Sequence, residues 1–207
     1  MKNEKLFLPE KKSAVITAAG KSERMGFFKP FLIFDKEKNI TFLKQIVSKY
    51  EKIKCEKIVV ILNKNSFEYY KNKKYNFLDN HKILINNNLE YERFYSVKIG
   101  MQNVPENNFV FLQAADNPFL EISLLEKLIK NKFSDGCIIP SHNKKGGHPI
   151  LIAPKIVKHI AEKSPVDSNL KIVLQNFERK YIDCQNKNIL LNINTPEDYK
   201  IIFNNFL

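Results

Sequence analysis

Residues 14–30 read "AVITAAGKSERMGFFKP", an apolar stretch that runs directly into small residues and spaced cations. The apolar part, residues 14–18, predicts a buried β-strand. Gly20 and Gly26 bracket the following loop, and glycine allows positive φ and close approach of another group to the backbone. The basic residues of this loop are Lys21, Arg24 and Lys29. Exposed amides and fixed cations at the end of a first strand suit a triphosphate.

Two well-known phosphate-binding motifs are absent from this loop. The tripeptide Gly20-Lys21-Ser22 matches the last three positions of the P-loop motif G-x-x-x-x-G-K-[ST]. That motif also requires a glycine five residues before Gly20, where the chain has Val15. The loop also lacks the G-x-G-x-x-G pattern of dinucleotide-binding folds. A different kind of nucleotide loop is therefore indicated.

Strand-like and helix-like segments alternate along the rest of the chain. Short apolar runs cover residues 14–18, 57–62, 82–85, 109–113, 137–140, 149–152 and 189–193. Helical spacing occurs at residues 41–50, 93–104, 123–131, 168–177 and 196–206. We predict N-caps at Thr41, Ser123 and Thr195, with Pro196 at a first helical position. The alternation predicts an α/β protein with a mainly parallel sheet, covered on both faces and binding ligands beyond the carboxyl ends of its strands.

Length and composition fit one domain. The chain has 207 residues, of which 43% are hydrophobic. We expect an N-terminal extension over residues 1–12 and a single domain over residues 13–207. The charged N-terminal segment and the lack of a long apolar run predict a cytoplasmic protein without a membrane anchor. The scattered cysteines, Cys55, Cys137 and Cys184, are expected to be reduced core thiols.

The formal net charge of +12 favours anionic partners. The lysines alternate with asparagines over the whole length instead of forming one dense block. This pattern is typical of a solvated basic surface more than of a nucleic-acid footprint. Phosphorylated small molecules are therefore the expected partners, and nucleic acid is not.

The first loop carries a resemblance to a known family. Residues 16–34, "ITAAGKSERMGFFKPFLIF", resemble the signature of the nucleotidyltransferases related to the molybdenum-cofactor cytidylyl- and guanylyltransferases. The resemblance implies a three-layer α/β/α sandwich with a Rossmann-like sheet of the nucleotide-diphospho-sugar transferase type. It also implies that Arg24 faces the β and γ phosphates and that Lys29 reaches the α-phosphate under attack. The residues implied to wrap the nucleoside triphosphate are Ala18, Ala19, Gly20, Lys21, Ser22, Arg24 and Lys29.

Two later motifs resemble the metal-binding segments of this family. Residues 109–120, "FVFLQAADNPFL", place Asp116 at the end of a strand, where the resemblance implies a magnesium ligand. Residues 192–200, "NINTPEDYK", have Asn192 and Asn194 where the cytidylyl branch usually has aspartate. An amide oxygen can still coordinate Mg²⁺, but one negative charge is lost and the metal affinity is expected to be lower.

Other segments resemble the base-binding and acceptor-binding parts of the family. In "EYERFYSVKIGM", residues 90–101, Ser96 matches the base-contacting region, while bulky residues precede it. In "GGHPILI", residues 146–152, the resemblance implies that Gly147, His148 and Pro149 lie near the acceptor. Alanine at both positions 18 and 19 is more like the cytidylyl branch, which favours CTP.

The predicted function is transfer of a nucleoside monophosphate, with CMP favoured, from an NTP to a phosphorylated acceptor. Pyrophosphate is released and Mg²⁺ is the expected cofactor. Within enzymes, the alternative is a nucleotidyltransferase for a sugar phosphate, polyol phosphate or choline phosphate. The alternatives outside catalysis are a basic nucleotide- or nucleic-acid-binding protein and a degenerate regulatory homologue, the latter suggested by Asn192 and Asn194. A monomer and a homodimer both remain open.

Overall fold

The computed structural model describes residues 11–166 and 168–204. The strands are β1 (Lys12–Ala18), β2 (Ile33–Asp35), β3 (Ile40–Thr41), β4 (Lys57–Leu62), β5 (Lys82–Ile85), β6 (Phe109–Ala114), β7 (Gly136–His142), β8 (Lys145–Gly146), β9 (Ile150–Ile152) and β10 (Glu178–Asp183). The helices are α1 (Phe42–Lys52), α2 (Lys64–Asn72), α3 (Glu92–Met101), α4 (Ile122–Lys130), α5 (Pro154–Glu162), α6 (Leu170–Gln175) and α7 (Pro196–Asn204).

The main sheet has the strand order β10-β7-β9-β6-β1-β4-β5, and β8 pairs with the end of β7. Strands β1, β4, β5, β6, β7 and β10 run parallel to one another. Strand β9 is antiparallel to its neighbours β6 and β7, and β8 is antiparallel to β7. A small antiparallel ribbon, β2-β3, lies apart from it. The predicted mainly parallel sheet is confirmed, and the carboxyl ends of β1, β4 and β6 lie together at one edge because the three strands are adjacent and parallel.

Helices cover both faces of this sheet, which confirms the three-layer prediction. The side chains of a strand alternate between faces, and in β1 Ile16 packs with α1 and α4 whereas Val15 packs with α3 and α5. Each face therefore has its own apolar core. Strand β1 is buried on both sides, as its continuous apolar sequence predicts.

The N-cap predictions are confirmed at two positions and wrong at one. The Thr41 hydroxyl accepts a hydrogen bond from the Lys44 amide at 3.2 Å. Thr195 caps α7, accepting from the Asp198 amide at 3.1 Å while the Asp198 carboxylate accepts from the Thr195 amide at 2.9 Å. Ser123 is no cap, because α4 already begins at Ile122.

Several segments differ from the sequence-based secondary structure: helices α2 and α5 and the short strands β2, β3 and β8 were not predicted, and two further segments show why. The predicted strand at residues 189–193 is wrong: residues 187–190 form a 3₁₀ turn, and Ile189 and Ile193 are buried without joining the sheet. Strand β10 was not predicted, because only Ile182 of its six residues is buried and its charged sequence, "ERKYID", lacks an apolar run. A hydrophobic pattern reports burial and not strand pairing, so it wrongly indicates a strand at residues 189–193 and does not indicate the exposed strand β10.

The three cysteines lie within the part of the chain that the structure describes, and none of them forms a disulfide. Cys137 is buried, Cys55 and Cys184 are half-buried, and all three are free thiols. Burial raises the pKa of Cys55 to about 12 and that of Cys137 to about 11. None of the described helices has the length and apolar character needed to span a bilayer.

Candidate active site

A cavity of about 310 Å³ opens at the carboxyl ends of β1 and β6. This edge is where a doubly wound sheet binds its ligands. Predicted site residues make up much of its wall: Ala18, Ala19, Gly20, Lys21, Ser22, Lys29, Ser96 and Asp116 line it. Residues that are separated by almost 100 positions in sequence therefore meet around one space.

The loop after β1 is held by a side chain from the neighbouring strand. Asn63, which follows β4, donates from Nδ2 to the carbonyl oxygens of Ala19 and Gly20, each at 3.1 Å. In a trans peptide the N–H points away from the preceding C=O, so the amides of Gly20 and Lys21 point away from Asn63. No acceptor for these two amides is found among the described residues. They are available for an anion.

The backbone of this loop also leaves space for a ligand. A Cβ added to Gly20 would meet nothing within 4 Å, so the glycine keeps the cavity open instead of relieving a clash. Ser22 and Gly26 have φ of 57° and 67°, the left-handed conformation that turns the chain around the short 3₁₀ helix at residues 23–25. The Ser22 hydroxyl accepts a hydrogen bond from the Lys29 amide at 3.3 Å, which links the two ends of the loop.

Lys29 supplies a cation inside the cavity. Its Nζ donates to Oδ1 of Asn194 at 2.8 Å. Partial burial lowers the pKa of Lys29, with the Asp116 carboxylate acting in the opposite direction. A half-desolvated ammonium without a carboxylate in direct contact retains its attraction for a phosphate oxygen.

Asp116 lies opposite the loop, directly after β6. Its Oδ1 is buried and has no hydrogen-bond partner within the described structure. Its backbone carbonyl accepts from the Ile193 amide at 2.8 Å, and the neighbouring Asn117 donates to the carbonyl oxygens of Asn188 and Ile189. The carboxylate is thus fixed in place by its main chain while one oxygen remains free, which fits a hard divalent cation such as Mg²⁺.

The two asparagines predicted to join Asp116 are placed differently. Neither Asn192 nor Asn194 lines the cavity. Asn192 is exposed, and the Asn194 side-chain oxygen is already hydrogen-bonded to Lys29. No cluster of three or more histidine, cysteine or acidic side chains suited to a metal occurs in the described ranges. Phosphate oxygens and water would have to complete the coordination of a cation at Asp116.

Two further predicted residues lie at the margin of this cavity. Ser96, on α3, is buried, and its hydroxyl accepts from Asn86 Nδ2 at 2.9 Å, which leaves the hydroxyl hydrogen free to donate. Arg24 is exposed and does not contribute to the cavity wall. Its charge still acts on Lys29 and on Asp198, so it lies close to the rim.

A second cavity of about 410 Å³ contains two of the three predicted acceptor residues. Gly147 and His148 line it, whereas Pro149 is buried beside it. Gly147 has a structural reason to be glycine, because an added Cβ would lie 2.5 Å from the carbonyl oxygen of Ile189. The His148 ring carries a buried Nδ1 without a partner, and burial lowers its pKa to about 4. The ring is therefore neutral at pH 7.

Sequence reasoning missed two residues that shape the site. Asn63 holds the first loop through contacts 44 and 43 residues away, for which the sequence offers no signal besides its position as an N-cap of α2. Arg93, at the start of α3, lines both cavities. Its position three residues before Ser96 could have indicated a role, because residues i and i+3 share one face of a helix.

Together these groups can bind and align polyanions. Peptide amides and the ammonium of Lys29 stand on one side of the first cavity, and a fixed carboxylate with a free oxygen stands on the other. Such a site can hold a metal-bound polyphosphate and stabilise the charge that develops on a transferring phosphoryl group. The second cavity offers space for another reactant alongside it.

Comparison with known proteins gives a consistent family assignment. Residues 14–180 match the MobA-like NTP transferase domain. The chain is 28% identical to the molybdenum cofactor cytidylyltransferase of Escherichia coli (strain K12), over 89% of this chain and 92% of that protein. It is 29% identical to a probable molybdenum cofactor guanylyltransferase of Methanocaldococcus jannaschii, over 90% and 95% respectively.

The fold is shared with solved structures of low sequence identity. The crystal structure of Rv0371c from Mycobacterium tuberculosis H37Rv in complex with manganese superposes with a TM-score of 0.75 at 14% identity. The superposition covers 94% of this chain and 98% of that one. The match at this identity shows a common fold.

Proposed function

The chain belongs to the MobA-like NTP transferase family, a family of nucleotidyltransferases, and we propose that it transfers CMP from CTP to a phosphorylated acceptor, with a molybdenum-cofactor precursor as the favoured acceptor. An oxygen of the acceptor phosphate attacks the α-phosphorus and forms the new P–O bond. The bond from the α-phosphorus to the bridging oxygen breaks, and pyrophosphate leaves with the electron pair.

One observation carries the proposal. One cavity of about 310 Å³ brings together the groups that a polyphosphate needs. They are the loop amides of Gly20 and Lys21, the Lys29 ammonium and the free oxygen of Asp116. A polyphosphate tail needs donors along its length and a cation beside its α-phosphate. Lys29, half-desolvated and held by Asn194, is the residue we assign to the α-phosphate.

The metal fits at Asp116. Bound Mg²⁺ would neutralise phosphate charge and stabilise the departing pyrophosphate. Asp116 supplies one carboxylate oxygen, and Asn194 holds Lys29 instead of the cation. Because a single protein carboxylate binds Mg²⁺ weakly, we expect the cation to bind together with the nucleotide and not before it. Asn194 then has a positioning role, and its departure from aspartate does not require a degenerate enzyme.

The choice of CTP rests on Ala18 and Ala19, because the two relatives do not discriminate between the bases. Both positions line the first cavity, and the chain resembles a cytidylyltransferase and a probable guanylyltransferase at nearly equal identity. A second candidate, transfer to a small polyol phosphate, is favoured by the partial match to a 2-C-methyl-D-erythritol 4-phosphate cytidylyltransferase, 26% identical over 64% of this chain. The size of the second cavity favours the larger acceptor.

The test is a pyrophosphate-release assay. The four NTPs are each combined with Mg²⁺ and with molybdopterin, methylerythritol phosphate, choline phosphate or a sugar phosphate. CTP with molybdopterin should give the highest kcat/KM, and Asp116→Ala should abolish the metal-dependent rate while the far-UV circular dichroism spectrum is unchanged. Highest activity with GTP would reverse the choice of base.

Two results would contradict nucleotidyl transfer itself and not only the choice of base. Binding of single-stranded DNA with a steep salt dependence, without preference among the NTPs, would support a basic nucleic-acid-binding protein. Selective NTP binding without pyrophosphate release for any acceptor would support a regulatory homologue. An active Asp116→Ala variant would remove Asp116 from the site.

A further inference from the structure

Arg93 occupies the boundary between the two cavities. Of the residues that the structure describes, it alone lines both the nucleotide-side cavity and the second one. The negative charge of Asp116 acts on Arg93, and the positive charge of Arg93 acts on His148. Arg93 shares the wall of the first cavity with Asp116 and the wall of the second cavity with His148.

The guanidinium is free to bind a ligand. No hydrogen bond or ion pair joins the Arg93 side chain to another group within the described residues. An arginine presents five N–H donors in a planar fork that matches a phosphate in a bidentate arrangement. Arg93 is exposed on the surface of α3, so an incoming ligand can reach its side chain.

The second cavity is built for an anion with an apolar body. Its charged side chains are all basic, while much of the remaining wall is apolar. The basic residues are Arg93, Lys171 and Arg179, and the apolar side chains include Phe94, Ile139, Ile150, Leu174 and Tyr181. No carboxylate contributes to the wall among the described residues.

A buried polar atom without a partner in the wall of this cavity independently indicates that the cavity binds a ligand. Nδ1 of His148 is buried without a hydrogen-bond partner, and the ring lines the cavity. Burial of an unpaired polar group costs free energy, so such groups are usually satisfied by a ligand or by water.

We infer that Arg93 binds the attacking phosphate of the acceptor and holds it at the boundary, within reach of the α-phosphate of the nucleotide. The inference rests on the proposed function and adds the residue that binds the acceptor, a phosphate monoester whose body contacts the apolar part of the wall. Two phosphates that approach each other repel, and a cation placed between them offsets that repulsion. The acceptor phosphate can attack as the dianion, so no protein base is needed.

The test uses phenyl phosphate as a minimal acceptor and α,β-methylene-CTP as a nucleotide that cannot react at the α-phosphorus. Isothermal titration calorimetry first measures the Kd of the nucleotide with Mg²⁺. A second titration measures the Kd of phenyl phosphate for the nucleotide-loaded protein. The variants are Arg93→Gln and Arg93→Lys, and Lys180→Gln is the matched control, because Lys180 is exposed on β10 and lines neither cavity.

Arg93→Gln should weaken phenyl phosphate binding by about 10- to 100-fold, the scale of a charge-assisted bidentate hydrogen bond. The nucleotide Kd should change less than threefold. Arg93→Lys should bind phenyl phosphate with intermediate affinity, because lysine keeps the charge but not the fork. Lys180→Gln should behave like the parent protein. With the natural acceptor, Arg93→Gln should raise KM for the acceptor and leave KM for CTP unchanged.

The outcomes separate this inference from the proposed function. Loss of nucleotide affinity in Arg93→Gln with unchanged phenyl phosphate binding would place Arg93 in the nucleotide site and overturn the inference alone. The same conclusion follows if the nucleotide-loaded parent does not bind phenyl phosphate. Failure of the parent protein to bind any nucleotide would overturn the proposed function instead.

Discussion

Asn63 gives the sharpest test of how the nucleotide loop is built. Its Oδ1 accepts from the Ser66 amide and caps α2, while its Nδ2 donates to the carbonyls of Ala19 and Gly20. Substitution by serine keeps a good N-cap but cannot reach the loop, whereas alanine loses both functions. Ser66→Ala is the matched control, because it removes the bond that the Ser66 hydroxyl accepts from the Asn63 amide and the bond that it donates to the Asn63 carbonyl, and leaves the Asn63 side chain in place.

The expected magnitudes follow from these contacts. Each of the two hydrogen bonds to the loop contributes about 1 kcal/mol, and the cap contributes about 1 kcal/mol. Asn63→Ser should therefore lower the free energy of unfolding by about 2 kcal/mol, Asn63→Ala by about 3 kcal/mol and Ser66→Ala by about 2 kcal/mol. A released loop must be reordered on binding at about 1–2 kcal/mol per residue, so both Asn63 variants should bind nucleotide about 10- to 100-fold more weakly.

Urea unfolding gives the stability changes, and calorimetric titration with CTP and Mg²⁺ gives the affinities. The distinctive result is that Asn63→Ser and Asn63→Ala lose the same affinity while differing in stability, with Ser66→Ala unchanged in affinity. Parental affinity in Asn63→Ser would refute the reasoning. Equal weakening by Ser66→Ala would show that helix α2, and not the two loop hydrogen bonds, matters for binding.

Further predictions concern individual charges. Lys29→Ala should slow single-turnover pyrophosphate release by about 100- to 1000-fold, the loss measured for single electrostatic stabilisers; a parental rate would exclude Lys29 from the α-phosphate. Asp116→Asn should raise the Mg²⁺ concentration for half-maximal rate by at least about tenfold, measured by metal titration, because the amide carries no charge. Stability should decline by up to about 3 kcal/mol between pH 6.5 and 4, since native His148 has a pKa of about 4 and the unfolded chain takes up the proton first; urea unfolding of His148→Gln should show a smaller decline.

Local sequence was sufficient for the parts of the site that lie on one segment. The bare loop at Gly20 and the cations beside it follow from residue types and from the rule that ligands collect at the carboxyl ends of parallel strands. The role of Asp116 was implied by the family resemblance. Ser96 was assigned to the base-contacting region by the family resemblance, and it lines the first cavity. The sequence pattern did not indicate β10, an exposed edge strand, the short strands β2, β3 and β8, or helices α2 and α5. It wrongly predicted a strand at residues 189–193, where Ile189 and Ile193 are buried outside the sheet.

The sequence by itself determined the α/β alternation, the buried first strand and the phosphate-binding character of its loop, because each depends on neighbours along the chain. Only the tertiary structure decided which partners these groups have: Asn194 with Lys29 across 165 positions, Asn63 with the loop, and Arg93 between two cavities. Such pairings are fixed by how strands and helices pack, and packing brings together side chains whose separation in sequence carries no periodic signal.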